Sequence, residues 1–190
     1  RNWLVFFGNL TVQKRPMIFL SAAAKMIKDH PGPLCFPVFG DDRDGFQSKM
    51  MAEAQQIGIA EHIRFLGFRV PVEPWIAGCD AMMAPQINEA HGRSIVEAML
   101  VGTPVVVSDS GGHGELVEHG ITGFLAAAES ATGLADHALA ILANDDLAAK
   151  IANRAKEMIK QKFSVASNQA IMSEIYQQLA GEAHIPGGDE

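Results

Sequence analysis

Apolar runs rich in β-branched and aromatic residues alternate along this chain with segments whose apolar positions recur at helical spacing. The first run covers residues 3–7 and is closed by Gly8. Residues 17–28 then place Ile18, Phe19, Ala22, Ala23, Met26 and Ile27 at helical intervals, and the stretch from His30 through Pro33 stops that helix. The same reading predicts strands at 34–39, 63–66, 81–84, 104–108 and 123–125. Helices are expected at 47–57, 72–77, 94–101, 131–143, 147–162 and 165–179, with Gly58 closing the first of these. Val105, Val106 and Val107 form a run that suits a strand buried on both faces. Such alternation is the signature of β-α units around a parallel sheet, so the expected fold is α/β, a Rossmann-like parallel sheet flanked by helices. Ligands of such sheets bind beyond the carboxyl ends of the strands, which directs attention to the loops after Phe7, Phe39, Leu66, Ala84 and Ser108.

Composition narrows the picture further. A chain of 190 residues with 48% hydrophobic and 19% charged positions can bury a full core as one domain, and its apolar runs fall well short of the ~20 residues that span a bilayer. Fifteen basic against 22 acidic residues give a net charge of −7, with Lys and Arg scattered, which argues against a nucleic-acid partner. Cys35 and Cys79 lack the spacing and companion ligands of a metal site and read as reduced core thiols, as expected of a cytoplasmic protein. The chain opens without Met in what reads as a strand, and from Gly181 it turns to Pro, Gly and acidic residues. Residues 1–180 are therefore expected to form one domain of a longer protein, with 181–190 a flexible tail.

The densest chemical signal runs from Pro85 to Met99, between a strand and Gly102. Glu89 and Glu97 stand there with seven residues between them. A helix beginning near Gly92 or Arg93 puts Glu89 in the preceding loop and Glu97 just over one turn inside, so the two cannot share a helical face. Backbone N–H groups from Ala90 through His91, Gly92, Arg93 and Ser94, at the positive end of the helix dipole, suit a diphosphate. Glu97 then reaches ribose hydroxyls on one side and Glu89 the hydroxyls of a sugar on the other. The competing reading of Glu97 is an i,i+4 pair with Arg93, in the weaker order. Against it, burying a carboxylate beside Ile95, Val96, Ala98 and Met99 is costly without a hydrogen-bonding partner.

With these residues in view, the sequence resembles the C-terminal domain of retaining GT-B glycosyltransferases of family 4 over nearly its whole length. The resemblance is carried by Glu89, Glu97, Ala98-Met99, Gly102 and Pro104-Val105-Val106. It continues through Gly111-Gly112, Glu115-Leu116-Val117 and the run from Gly120 to Leu125, with Phe65-Leu66-Gly67 and Phe163-Ser164 also matching. In that light the loop from Gly8 to Pro16 is similar to the glycine loop that binds the donor diphosphate. Lys14 matches its lysine, Asn9 stands where an arginine is common, and Arg15 is the neighbour that would stand in; a solvated turn is the bland reading of Lys14 and Arg15. The segment that binds the base falls on Phe68 and Arg69, and His91 replaces an aromatic residue. For Phe68 core packing, and for His91 simple space filling, are equal alternatives.

The resemblance implies transfer of a sugar from a UDP-, GDP- or ADP-sugar donor with retained anomeric configuration and without metal or other cofactor. Glu89 would lie beside the donor sugar. It further implies that a separate N-terminal domain holds the acceptor, that any peripheral contact with the inner face of a membrane runs through that domain, and that this chain alone transfers nothing. The final helix, 165–179, would cross back to that domain and leave an apolar patch here. A nucleotide-sugar 2-epimerase or a non-catalytic binding module would share the fold. A dinucleotide oxidoreductase is disfavoured because no G-x-G-x-x-G follows the first strand.

Overall fold

The computed structural model describes residues 2–164, 169 and 172–178. Its strands are β1 (Asn2–Phe7), β2 (Leu34–Phe39), β3 (Ile63–Gly67), β4 (Ala81–Ala84), β5 (Val105–Asp109) and β6 (Phe124–Ala127). All pair in parallel in one sheet of order β3-β2-β1-β4-β5-β6. The helices are α1 (Pro16–Asp29), α2 (Phe46–Gln56), α3 (Glu73–Ala77), α4 (Arg93–Val101), α5 (His113–Leu116), α6 (Ala131–Leu142) and α7 (Asp145–Lys162). This is the α/β architecture expected from the alternation of periods, and its strand order is that of a doubly wound sheet. Among the described residues, α5 and a 3₁₀ turn at Ala60–His62 have no counterpart in the sequence-based expectation: four and three residues are too few to show a period.

The two faces of the sheet bury separate cores. Along β1, Leu4 and Phe6 face one side with α1 and α6, while Val5 faces the other with α4 and α7. Phe19 of α1 seats between Phe6 and Phe36, with ring centroids 5.4 and 6.0 Å away and edge-on geometry. β2, β4 and the valines of β5 are buried along their lengths, as central parallel strands must be. Cys35 and Cys79 are both unpaired and buried; burial, reinforced by Asp80, pushes the Cys79 thiol up to about 12.

Caps explain two boundaries. The Ser130 hydroxyl accepts from Gly133 N at 3.0 Å to start α6, and Asn144 accepts from Leu147 N at 3.0 Å to start α7, two residues ahead of the periodic signal. Of the final expected helix, residues 172–178 are helical and expose Met172, Ile175 and Tyr176. Val165, Ile171, Leu179 and the tail 181–190 lie outside the described residues. No helix among the described residues is long and apolar enough to cross a membrane.

Candidate functional site

Sheet growth reverses between β1 and β4, and a crevice opens where the loops leaving these two strands part to opposite sides. Lys14 comes from the loop after β1 and Glu89 from the loop after β4. They meet across the crevice, Lys14 Nζ to Glu89 Oε2 at 2.5 Å, each side chain 23% exposed. The other carboxylate oxygen, Glu89 Oε1, accepts from Gly92 N at 3.3 Å.

Gly92 turns that loop into α4. Its φ of 63° is left-handed, and a Cβ there would stand 3.0 Å from Leu116 Cδ1, so a side chain would meet both strain and a neighbour. Gly92 has no side chain to cap α4, the Ile95 and Val96 amides return to Gly92 O, and Arg93 and Ser94 of the first turn stand at the mouth of the crevice. Glu89 therefore fills two roles in the ligand-free chain: it neutralises Lys14 and satisfies an amide beside the positive end of α4.

Around this pair lies an open cleft of about 420 Å³. The loop after β1 contributes Phe7, Gly8, Asn9 and Lys14, the loop after β3 contributes Phe68, Arg69, Val70 and Val72, and the β4-to-α4 segment contributes Glu89, Arg93, Ser94 and Glu97. Eight residues singled out from the sequence are thus brought to one cavity. Asn9 Oδ1 accepts from Asp41 N at 3.2 Å, which ties the β1 loop to the loop after β2. Phe68 is 60% exposed at the rim rather than packed in the core, and Arg69 donates back to Phe68 O at 2.9 Å. Thr103, buried, donates to Ile76 O at 2.9 Å and so fixes α3, with Val72 before it, against α4.

Three expected members stand elsewhere. Arg15 does not replace the arginine missing at Asn9: its guanidinium pairs with Glu129 at 2.7 Å and lines a separate cavity of about 170 Å³ with Val12 and Phe46. The cause is its left-handed backbone, φ 49°, at the N-cap of α1, where the chain turns between Lys14 and Pro16. His91 and Ala90 line a third cavity on the far side of their loop, and the His91 ring meets Phe163 edge-on with centroids 5.5 Å apart. His91 itself is exposed, and this edge contact with Phe163 lies away from the Lys14–Glu89 cleft. Phe7, Val70 and Val72 were not foreseen. Phe7 ends a strand whose following loop was singled out, whereas Val70 and Val72 carry no sign in sequence that separates them from core valines.

The two glutamates differ electrostatically. Burial pushes the Glu89 carboxyl up, but the hydrogen bond and charge of Lys14, aided by the Gly92 amide, outweigh burial and leave it below its ordinary value. Glu97 moves the other way: burial, then the nearby charge of Glu73, raise it, and Arg93 opposes only in part. The i,i+4 reading fails in geometry, since among the described residues Glu97 has no ion-pair partner within 4.0 Å. An unpaired, half-buried carboxylate facing a cleft is an acceptor held ready for hydroxyl groups. Among the described residues no three His, Cys, Asp or Glu side chains are grouped so as to hold a metal ion.

Residues 1–144 match the family model described as glycosyl transferases group 1. The Anabaena protein HepE, solved with UDP and with UDP-glucose, superposes with a TM-score of 0.83 in its UDP complex at 32% identity, covering 93% of this chain and 49% of that one. Its parallel sheet is the GT-B, Rossmann-like arrangement seen here. N-acetyl-α-D-glucosaminyl L-malate synthase of Bacillus anthracis is 28% identical over 84% of this chain and 41% of its own length. The lipopolysaccharide core biosynthesis mannosyltransferase LpcC of Rhizobium leguminosarum is 27% identical over 96% of this chain and 52% of its own. The chain thus spans about half the length, or somewhat less, of these curated relatives. On the match over residues 1–144, together with the likeness to HepE across the whole fold, the chain belongs to the glycosyl transferases group 1 family.

Proposed function

We propose that this chain is the donor half of a retaining, metal-independent glycosyltransferase of family 4, taking a nucleoside diphosphate sugar, with UDP-sugars the first choice. The observation that carries the reading is the single cleft in which Lys14, Glu89, the first turn of α4 and Glu97 converge. The diphosphate lies against the α4 amides and Lys14, the ribose hydroxyls reach Glu97, and the base lies by Phe68 and Arg69. Glu89 stands beside the donor sugar, where it orients hydroxyls and stabilises positive charge developing at the anomeric carbon. A cleft of about 420 Å³ is of the size that such ligands use. UDP and UDP-glucose bound to HepE support the donor class. An N-terminal domain of the full-length protein, working in the cytoplasm, supplies the acceptor.

On this reading the Lys14–Glu89 pair opens when donor binds. The carboxylate leaves Lys14 and the Gly92 amide to the incoming phosphates and turns to the sugar, so ligand and side chain exchange partners without a metal ion. As the bond to the leaving diphosphate breaks, Lys14 and the amides stabilise the charge that collects on it.

Screening UDP-, GDP- and ADP-sugars by thermal shift tests the donor class. A true donor at 100 times its Kd stabilises the folded chain by about 2.7 kcal/mol, which for a domain of this size raises Tm by roughly 5–10 °C. No shift with any of the three, up to millimolar concentration, removes the proposal.

Glu97 gives a second test through pH. Ribose hydroxyls donate to the ionised carboxylate, and the free chain holds its proton up to a raised pKa. Affinity for UDP-glucose, whose bridging phosphates do not titrate in this range, therefore falls as pH drops through that value and is flat above it. Calorimetry on Glu97→Gln is expected to show weaker binding with this slope gone; an unchanged affinity removes the ribose role.

A further inference from the structure

Glu89 stands on a loop, and no strand or helix of its own holds it in place. What holds it is a second layer of chain. Ser108 Oγ donates to Gln86 O, Ser110 Oγ accepts from Asn88 N at 3.1 Å, and Gly112 N donates to Glu89 O at 2.8 Å. Residues 86–89 are thereby stitched onto residues 108–112, which leave β5 and curl beneath them. The contact is close: Gly111 has a φ of 61°, and a Cβ there would stand 2.7 Å from Glu89 O and 2.8 Å from Glu89 N. Asn88 lies at φ 52°, in the left-handed region that asparagine adopts more readily than most residues.

The layer is itself tied down by His113, the first residue of α5. The side chain is fully buried, and its Nδ1 lies 2.7 Å from Ser108 O and 3.4 Å from Ser108 Oγ. A carbonyl oxygen only accepts, so Nδ1 carries the proton and Nε2 keeps a lone pair. That Nε2 is buried without a hydrogen-bond partner among the described residues. An aliphatic side chain of similar size would fill the space without enclosing an unpaired nitrogen, so packing alone does not account for an imidazole here. What the imidazole adds is the Nδ1–H bond, which clamps both ends of the 108–113 curl together under Glu89. Burial lowers its pKa despite the Ser108 bond and the charge of Glu89, which keeps the ring neutral and the donor in place.

We propose that His113 is a positioning residue for Glu89, acting through Ser108 and the 108–112 curl, so that the Glu89 carboxylate is delivered to Lys14 in the free chain and to the donor sugar in the complex. The second half of this statement rests on the donor reading given above; the first does not. Glu89, Lys14 and Asp109 are the charged groups whose fields reach the ring.

The test follows Glu89 itself. In wild type, ¹⁵N imidazole spectra are expected to show the Nδ1–H tautomer of His113; the Nε2–H tautomer overturns the proposal without any variant. In His113→Leu, titration of a ¹³C-labelled Glu89 carboxyl moves up toward the ordinary carboxylate range as its contact with Lys14 and Gly92 loosens. UDP-glucose binding weakens relative to UDP binding by roughly three- to tenfold, the worth of one neutral hydrogen bond at the sugar, while release of Lys14 favours both ligands alike. His113→Asn, which keeps an N–H donor near the Nδ1 position, restores both. A Glu89 titration unchanged in a folded His113→Leu chain, or a failure of His113→Asn to restore what the leucine variant loses, overturns the proposal. A titration that moves while the ratio of UDP-glucose to UDP affinity stays constant supports the positioning role and counts against the placement of Glu89 at the donor.

Discussion

Replacing Glu89 by Gln is expected to tighten nucleoside diphosphate binding while lowering sugar transfer by the full-length enzyme by on the order of 10²–10³-fold. The two effects have one cause. In the free chain the carboxylate holds Lys14 at 2.5 Å and accepts from the Gly92 amide, so a diphosphate must displace it before binding. A neutral amide of the same size releases Lys14, and a partly exposed ion pair of this kind is worth up to about 1 kcal/mol, which gives UDP an affinity up to about fivefold higher. On the donor reading the same change removes the negative charge that would stabilise the anomeric carbon as the leaving group departs, a loss felt in the transition state and little in the ground state. Calorimetry with UDP on this chain and turnover on the full-length enzyme separate the two effects. Weaker UDP binding in Glu89→Gln contradicts the exchange of partners, and wild-type turnover contradicts a place beside the sugar.

Lys14→Ala is the complementary change. It removes a charge-assisted donor to the diphosphate, at about 1.5–3 kcal/mol, so UDP-glucose affinity is expected to fall by about ten- to hundredfold. Glu89 also loses the partner that holds its carboxyl down, and its pKa rises, since burial then acts without opposition from that cation. The double variant decides whether the two residues are coupled as described. If Glu89 competes with the ligand chiefly by occupying Lys14, the gain from Glu89→Gln vanishes in the Lys14→Ala background. A gain of equal size in both backgrounds, read by the same calorimetry, places the competition at the Gly92 amide alone.

Most of the architecture was open to reading in the sequence because it rests on local periods. The valine run of β5, the helical spacing in α1 and the glycine that closes α2 each say where an element lies without knowledge of its neighbours. The position of the cleft followed as well, because a parallel sheet with these crossovers leaves only the carboxyl ends of its strands free. What could not be read is which way side chains turn when the backbone leaves its common conformations. Arg15 and Lys14 are adjacent and both basic, yet a left-handed φ at Arg15 sends its guanidinium to Glu129 while Lys14 enters the cleft. His91 precedes the turn glycine, as a ligand-facing residue would, yet its ring meets Phe163 edge-on beside a separate cavity. His113 and Ser108 gave no signal at all, since a polar network between a strand end and a single helical turn has no period to detect.

The Lys14–Glu89 contact joins residues 75 positions apart, one on each side of the point where the sheet changes its direction of growth. Bringing them together requires β4 to dock beside β1 with β2 and β3 lying on the opposite flank, a closure whose entropic cost must be met before any ligand can return energy. On the donor reading, affinity therefore depends on both halves of the sheet at once, since the loop after β1 brings the cation and α4 brings the amides. Recovery of UDP binding in a refolding experiment would consequently report the joining of the two sheet halves, which the aromatic cluster of Phe6, Phe19 and Phe36, confined to one half, does not.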